Sequence, residues 1–220
     1  MKKLAIAFGM AFFLLIVGGV ANATPWNEGP DAGELIATAQ VPRGPVLLDS
    51  INGNLTAYGD SGIYFDNVDM YKIFIDDTDF FSVYVTADLG FDNDTTLFLF
   101  DSSGLFVEKN DDSGLGFLPQ FSPGLISEKD SGIYYLALSI YNTYPNNLSP
   151  NGIPLYSSGG DPLPLTGWNY GPANALNGTY ALSLTGALRA DRSPVPEPAT
   201  ILLLGSGLMG LARLRKRFRT

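Results

Sequence analysis

The sequence predicts an all-β fold: a single antiparallel β-sandwich, jelly-roll-like, flanked by an N-terminal signal-peptide helix and a short C-terminal transmembrane helix. Three observations carry this expectation. Apolar residues recur at every second position through most of the body. Gly 25 and Pro 15 in 220 residues supply many turns without reaching a low-complexity composition. The segment between the two ends shows no amphipathic helical pattern. A chain of 220 residues that is 45% hydrophobic is long enough and apolar enough for one domain with its own core.

The first element is residues 1–23. Lys2 and Lys3 give a positive start, residues 4–17 form an uncharged apolar run, and Ala21-Asn22-Ala23 is a small-x-small cleavage site. That order of parts predicts a secretory signal, removed by signal peptidase at Ala21 and Ala23. The last element mirrors it. Residues 191–198 form a Pro-rich linker in which Pro196-Glu197-Pro198 can continue neither strand nor helix. Residues 199–212 follow without a charge, and Arg213, Arg215, Lys216, Arg217 and Arg219 close the chain. Fourteen apolar residues span about 21 Å as a helix, short of a ~30 Å hydrocarbon core, so the basic side chains must snorkel or the bilayer thin. The positive-inside rule puts this basic anchor and Lys2-Lys3 in the cytoplasm and the body outside. Inside the tail, Gly205-Ser206-Gly207-Leu208-Met209-Gly210 spells a dinucleotide fingerprint, but no βαβ unit can follow it.

Between the ends the strands are read in order. Residues 24–65 are an extension with the first strands, including 45–51 and 54–57. Residues 66–190 are the sandwich proper. In 68–75, Tyr71, Ile73 and Ile75 share a face. In 80–86, Phe81, Val83 and Val85 do so, and in 180–185 Tyr180, Leu182 and Leu184. Residues 96–100 and 133–140 are apolar on both faces, which predicts central strands. Residues 105–109 are a shorter candidate. Ser50-Ile51-Asn52-Gly53, Asp101-Ser102-Ser103-Gly104 and Asp130-Ser131-Gly132 read as turns. Residues 142–175, rich in Pro, Gly and Asn, read as one long loop anchored by Trp168.

His 0 and Cys 0 exclude a Ser-His-Asp triad, a cysteine nucleophile, disulfides and any His/Cys metal site. A metal must therefore be held by oxygen. Residues 24–196 contain 21 acidic and 6 basic side chains, a net charge near −15, which opposes nucleic acid and favours divalent cations. The candidate metal residues are Asp92, Asp94, Asp111 and Asp112. With Ser102-Ser103 as a two-residue loop, Asp101 faces Gly104 and Asp111 falls opposite Asp94. Carboxylates crowded at one hairpin end repel, and Ca²⁺ with six to eight oxygen ligands suits them. Solvated carboxylates that merely cap turns explain the same residues.

Two resemblances follow from these residues. Pro196-Glu197-Pro198, the short apolar helix and the terminal Arg/Lys cluster are similar to the PEP-CTERM sorting signal of Gram-negative bacteria. This resemblance implies an exosortase as processing enzyme, cutting near the Pro-Glu-Pro at the inner membrane. It further implies release or transfer to the outer envelope, the cell surface or extracellular polysaccharide. Val68-Asp69-Met70-Tyr71-Lys72-Ile73, then residues 94–104, Asn110-Asp111-Asp112 and residues 132–138, resemble the bacterial pre-peptidase C-terminal domain. That likeness implies a small jelly-roll sandwich with no catalytic residues, in which 142–175 is an insertion. The expectation is an exported, non-enzymatic binding or structural module. The alternative is a carbohydrate-active accessory module or weak glycosidase on extracellular polysaccharide.

Overall fold

In the computed structural model the alternating segments become strands, described over residues 25–44, 47–57, 65–89, 94–113, 116–126, 130–149, 151–171 and 176–192. In chain order they are β1 (Trp26–Asn27), β2 (Ser50–Ala57), β3 (Phe65–Asp66), β4 (Val68–Ile75), β5 (Ser82–Asp88), β6 (Thr95–Asp101) and β7 (Phe106–Asn110). There follow β8 (Gln120–Phe121), β9 (Gly132–Ile140), β10 (Thr143–Pro145), β11 (Trp168–Tyr170), β12 (Leu176–Thr185) and β13 (Ala187–Arg189). A single 3-10 turn, Ala190–Arg192, is the helical structure among the described residues. None of their helices is long and apolar enough to cross a membrane. The signal segment 1–23, the Pro-Glu-Pro motif, the apolar run 199–212, the basic tail and Asp92 lie outside the described residues.

One sheet runs β1-β2-β12-β5-β8 with β3 on β2, and a second runs β13-β4-β9-β6-β7. Their pairings are antiparallel except for β1 with β2. The alternation decides which sides meet. Ile51, Val83, Val85, Leu182 and Leu184 of the first sheet share one buried cluster with Tyr71, Ile73, Ile75, Leu97, Leu99, Leu136 and Leu138 of the second. Two apolar sheet faces turned toward each other are the arrangement period-two strands demand, since neither face can remain in water.

The second sheet is buried on its other face as well. Val68, Met70, Phe98, Phe100, Tyr135 and Ala137 pack there with Leu148, Leu165 and Trp168, and with Leu35 and Ile36 from the N-terminal segment. This accounts for the apolar character of β6 and β9 on both sides, and both are interior strands. The cover is the predicted long loop, which is folded through 141–171. β10 pairs with β11, and Leu148 bridges to Pro154 and Tyr156 to Pro162. Trp168 is its anchor: the indole meets Phe98 and Phe100 edge-on at 5.4 and 6.3 Å and donates Nε1–H to Glu34 O at 2.6 Å.

Four local expectations are corrected. Ser50-Ile51-Asn52-Gly53 is not a turn but the first half of β2, paired residue for residue with β12. Gly53 there serves packing rather than chain reversal, as shown below. Of the candidate strand 45–51, residues 45–46 lie outside the described residues, Leu47 forms an isolated bridge, and the strand itself begins at Ser50 as β2. Phe80 lies in a turn and is 68% exposed, so the strand predicted from residue 80 starts at Ser82. The β6–β7 hairpin closes on Asp101 and Leu105 rather than on Asp101 and Gly104. Asp101 N–H donates to Leu105 O and Gly104 N–H to Asp101 O, with Gly104 at φ 82°. A glycine in the left-handed region makes the loop three residues long. A further shift between Leu99 and Phe100 places Leu97 opposite Asn110. Asp111 therefore follows on beside Thr96 and not opposite Asp94.

Candidate functional site

The N-terminal segment 26–40 is a strap that passes from the first sheet to the second. It begins as β1 along β2, where Glu28 N–H also donates to Asn52 O at 2.8 Å. It ends along β4, where Met70 N–H donates to Gly33 O, Gln40 N–H to Met70 O and Lys72 N–H to Gln40 O, at 3.0, 2.9 and 2.8 Å. β13 covers only Ile73–Ile75 of that edge of β4. The strap thus satisfies backbone groups that an edge strand would leave open.

This crossing brings together acids far apart in sequence. Asp69 shares the inward face of β4 with Tyr71, Ile73 and Ile75, and it is completely buried. Its Oδ2 accepts a hydrogen bond from Tyr180 Oη at 2.6 Å, and Tyr180 is hydrogen-bonded in turn to the Tyr71 hydroxyl. Its Oδ1 has no hydrogen-bond partner. From the strap, Glu28 turns in and accepts backbone N–H groups from Ala32 at 2.6 Å and Asn54 at 3.0 Å. Asp31 accepts Gly33 N–H at 2.9 Å. One carboxylate oxygen from each of Glu28, Asp31 and Asp69 lies within 4.8 Å of the others.

Gly53 makes the room. It lies on the inward face of β2, paired with Tyr180. A Cβ there would stand 2.3 Å from Tyr180 Oη and 2.7 Å from Glu28 Oε2. The Tyr180 hydroxyl and the Glu28 carboxylate occupy the space a side chain would take. On its solvent side the site opens to a groove of about 640 Å³ lined by Glu28, Asn54, Asp88, Thr179 and Tyr180 among others.

Electrostatically the cluster has no counter-charge of its own. Burial first, then the negative charges of Asp66 and Glu28, push the Asp69 carboxyl far above the carboxylate range. Burial raises Glu28 as well, against the lowering effect of its two backbone hydrogen bonds. Asp66 is pushed up to about 7 by burial and by Asp31, Glu28 and Glu34, and its Oδ1 is also buried without a partner. Every charge acting on these three groups is another carboxylate. Such a set takes up protons or a cation. Two oxygens bound to one Ca²⁺ at ~2.3–2.6 Å are at most about 5 Å apart, so the observed spread fits a shared ion. The orphaned Asp69 Oδ1 and the all-oxygen donor set agree with a hard cation.

The residues the sequence nominated for metal are placed differently. Asp94, Asp111 and Asp112 do not form a three-acid group among the described residues. Asp111 accepts the Thr96 hydroxyl, and Asp94 offers its backbone carbonyl to Tyr141 N–H at 3.0 Å. Glu28, Asp31 and Asp69 were not singled out by the sequence. The signal for Asp69 was present in its parity with Tyr71, which puts an acid on a core face. Nothing local announced Glu28 and Asp31.

Residues 194–217 match the PEP-CTERM protein-sorting motif. The match takes in Pro196, Glu197, Pro198, Arg213, Arg215, Lys216 and Arg217 and stops short of Arg219. The sorting signal read from the sequence is thereby supported, and with it an exosortase as processing enzyme. A chain bearing this motif is exported, processed at the membrane and located at the surface or outside the cell. No curated protein matches the chain.

Proposed function

We propose that the chain is a non-catalytic binding or structural module of a Gram-negative cell surface or matrix. In this reading a Ca²⁺ held by Glu28, Asp31 and Asp69 fastens the strap to both sheets of the sandwich. The observation that carries it is the buried Asp69 carboxyl, whose Oδ1 receives no N–H or O–H donor and which meets the Glu28 and Asp31 carboxyls with no basic side chain among the described residues acting on it. The jelly-roll likeness to the pre-peptidase C-terminal domain is consistent with two antiparallel sheets over one core. The non-enzymatic reading is supported by the lack of His and Cys and by the use of Glu28 as a brace for two backbone N–H groups.

The ion's contribution would be electrostatic cross-linking, converting carboxylate repulsion into attachment of residues 28–31 to β4. A cation that binds only the folded state stabilises it by about 2.7 kcal/mol at a hundredfold excess over its Kd. Extracellular modules work with Kd values of ~10⁻⁴–10⁻³ M. The test is thermal melting of the purified chain in millimolar Ca²⁺ and in chelator. A higher Tm with Ca²⁺, lost in Asp69→Asn and Glu28→Gln and retained in Asp94→Ala, is expected. A Tm indifferent to Ca²⁺ in the wild-type chain refutes the cation.

A further inference from the structure

Beside the β6–β7 hairpin, the start of the 141–171 cover encloses a second cavity, of about 200 Å³, remote in sequence from the strap. It is lined by Thr96, Phe98, Lys109, Asp111, Tyr141, Thr143 and Tyr144, with a rim from Leu148, Ser149 and Gly152. Lys109 and Asp111 are two residues apart and so emerge on one side of the chain. Neither forms an ion pair among the described residues. Lys109 is held over the rim because Gly152, at φ 74°, has no side chain: a Cβ there would lie 2.6 Å from Lys109 Cε. Asp111 is fixed by the Thr96 hydroxyl. Thr143 is 2% exposed, and its Oγ1 finds no partner in the protein. The lip is set by Asn142 at φ 62°, a conformation asparagine tolerates, with its carbonyl held by Gly171 N–H at 2.8 Å.

We infer that this pocket binds one uncharged sugar ring, free or at the end of a glycan. The chemistry of the lining selects for it. One ammonium and one carboxylate cancel, so neither an anion nor a cation is favoured. The Asp111 carboxylate with spare lone pairs and the Lys109 ammonium suit a ligand that presents several hydroxyl groups. Phe98 and the two tyrosines supply the apolar surface that the C–H face of a sugar covers. The cavity is small, about 200 Å³, which matches a single ring better than a chain. The inference goes beyond the cation reading and uses none of its ligands.

The experiment uses the purified full chain with neutral hexoses and pentoses, a panel of amino acids, and an array of oligosaccharides. Binding is read by saturation-transfer NMR and titrated for the best ligand. The expected result is binding of at least one neutral sugar. Oligosaccharides that end in that sugar, binding more tightly than the free ring, would identify a glycan end as the source. Asp111→Asn should weaken binding about tenfold, the ~1.4 kcal/mol of one charge-assisted hydrogen bond. Tyr141, 50% exposed, can be cut to Ala without loss of fold, so Tyr141→Ala should weaken binding at unchanged Tm. Asp69→Asn should bind sugar as the wild type does, which lets either reading fail alone. Binding of no sugar, preferential binding of an amino acid, or variants that bind like the wild type would overturn the inference.

Discussion

Replacing Gly53 by alanine should unfold this protein at a markedly lower temperature, although simple rules forecast the opposite. Gly53 is not among the positive-φ glycines, so its backbone accepts any residue. Alanine in a strand would ordinarily gain about 0.5–1 kcal/mol from the reduced freedom of the unfolded chain. Here the new Cβ would meet Tyr180 Oη at 2.3 Å, Tyr180 Cζ at 2.5 Å and Glu28 Oε2 at 2.7 Å. Tyr180 is 3% exposed and is held in place by the bonds of its hydroxyl to Asp69 and Tyr71. Moving it breaks the 2.6 Å bond to Asp69 and leaves both Asp69 oxygens without a partner. Overpacking costs about 1–3 kcal/mol. Loss of a buried hydrogen bond to an acid costs about 1.5–3 kcal/mol more. Together they amount to about 3–5 kcal/mol, or roughly 10 °C in Tm at ~2–4 °C per kcal/mol for a domain of this size. Gly132 is the control, a strand glycine with nothing within 4 Å of its Cβ position. Gly132→Ala should be neutral or slightly stabilising. Thermal melts of the two variants decide the matter, and Gly53→Ala as stable as Gly132→Ala would refute the packing argument.

Other consequences are as direct. Trp168→Ala removes the edge-on contacts to Phe98 and Phe100 and the bond to Glu34 O; at about 3–5 kcal/mol it should detach the cover. Limited proteolysis should then cut within 146–171 before the sandwich unfolds. Gly104→Ala forces a side chain to φ 82° and places its Cβ 2.3 Å from Ile36 Cδ1, whose mobile end can yield. A loss of about 1–2 kcal/mol, from the left-handed backbone, should appear in denaturant titration. Arg189→Met is expected to loosen residues 43–49 on β13, since the buried guanidinium donates Nη1–H to Arg43 O at 2.7 Å; hydrogen exchange in that segment measures it.

The longer strands were legible because the pleat imposes a strict parity. Tyr71, Ile73 and Ile75, or Tyr180, Leu182 and Leu184, can meet a core only if they lie on one face. Turns were less legible. Ser-Ile-Asn-Gly has turn composition at residues 50–53, yet its glycine was selected by a tyrosine more than a hundred residues away. Likewise the Asp101–Gly104 turn was found, but its loop length depended on Gly104 entering the left-handed region. That one-residue difference, with a bulge at Leu99/Phe100, puts Asp111 beside Thr96 rather than opposite Asp94. The acidic site escaped for a related reason. Glu28 and Asp31 lie in a strap with three carboxylates and no periodicity, and only the tertiary crossing from β2 to β4 puts them beside Asp69.

The same crossing explains why the two sheets differ on their outer faces. The second sheet gains a cover on both halves, from Leu35 and Ile36 of the strap and from Leu148, Leu165 and Trp168 of the cover that follows β9, so its outward Met70, Phe98 and Phe100 can be apolar. Among the described residues the first sheet has no such layer. Its pairings align Asn54, Thr179 and Asp88 in one row and Asn52, Ala181 and Thr86 in the next, and Ser183 and Tyr84 continue the pattern. These side chains are polar or small because they meet water directly. Local sequence therefore reports more than strand position. Where a strand of this sandwich reads apolar on both faces, a segment from elsewhere in the chain lies across it; where it alternates, its outer face is open. The strap and the cover that follows β9, the least periodic parts of the sequence, are what the most uniformly apolar strands require.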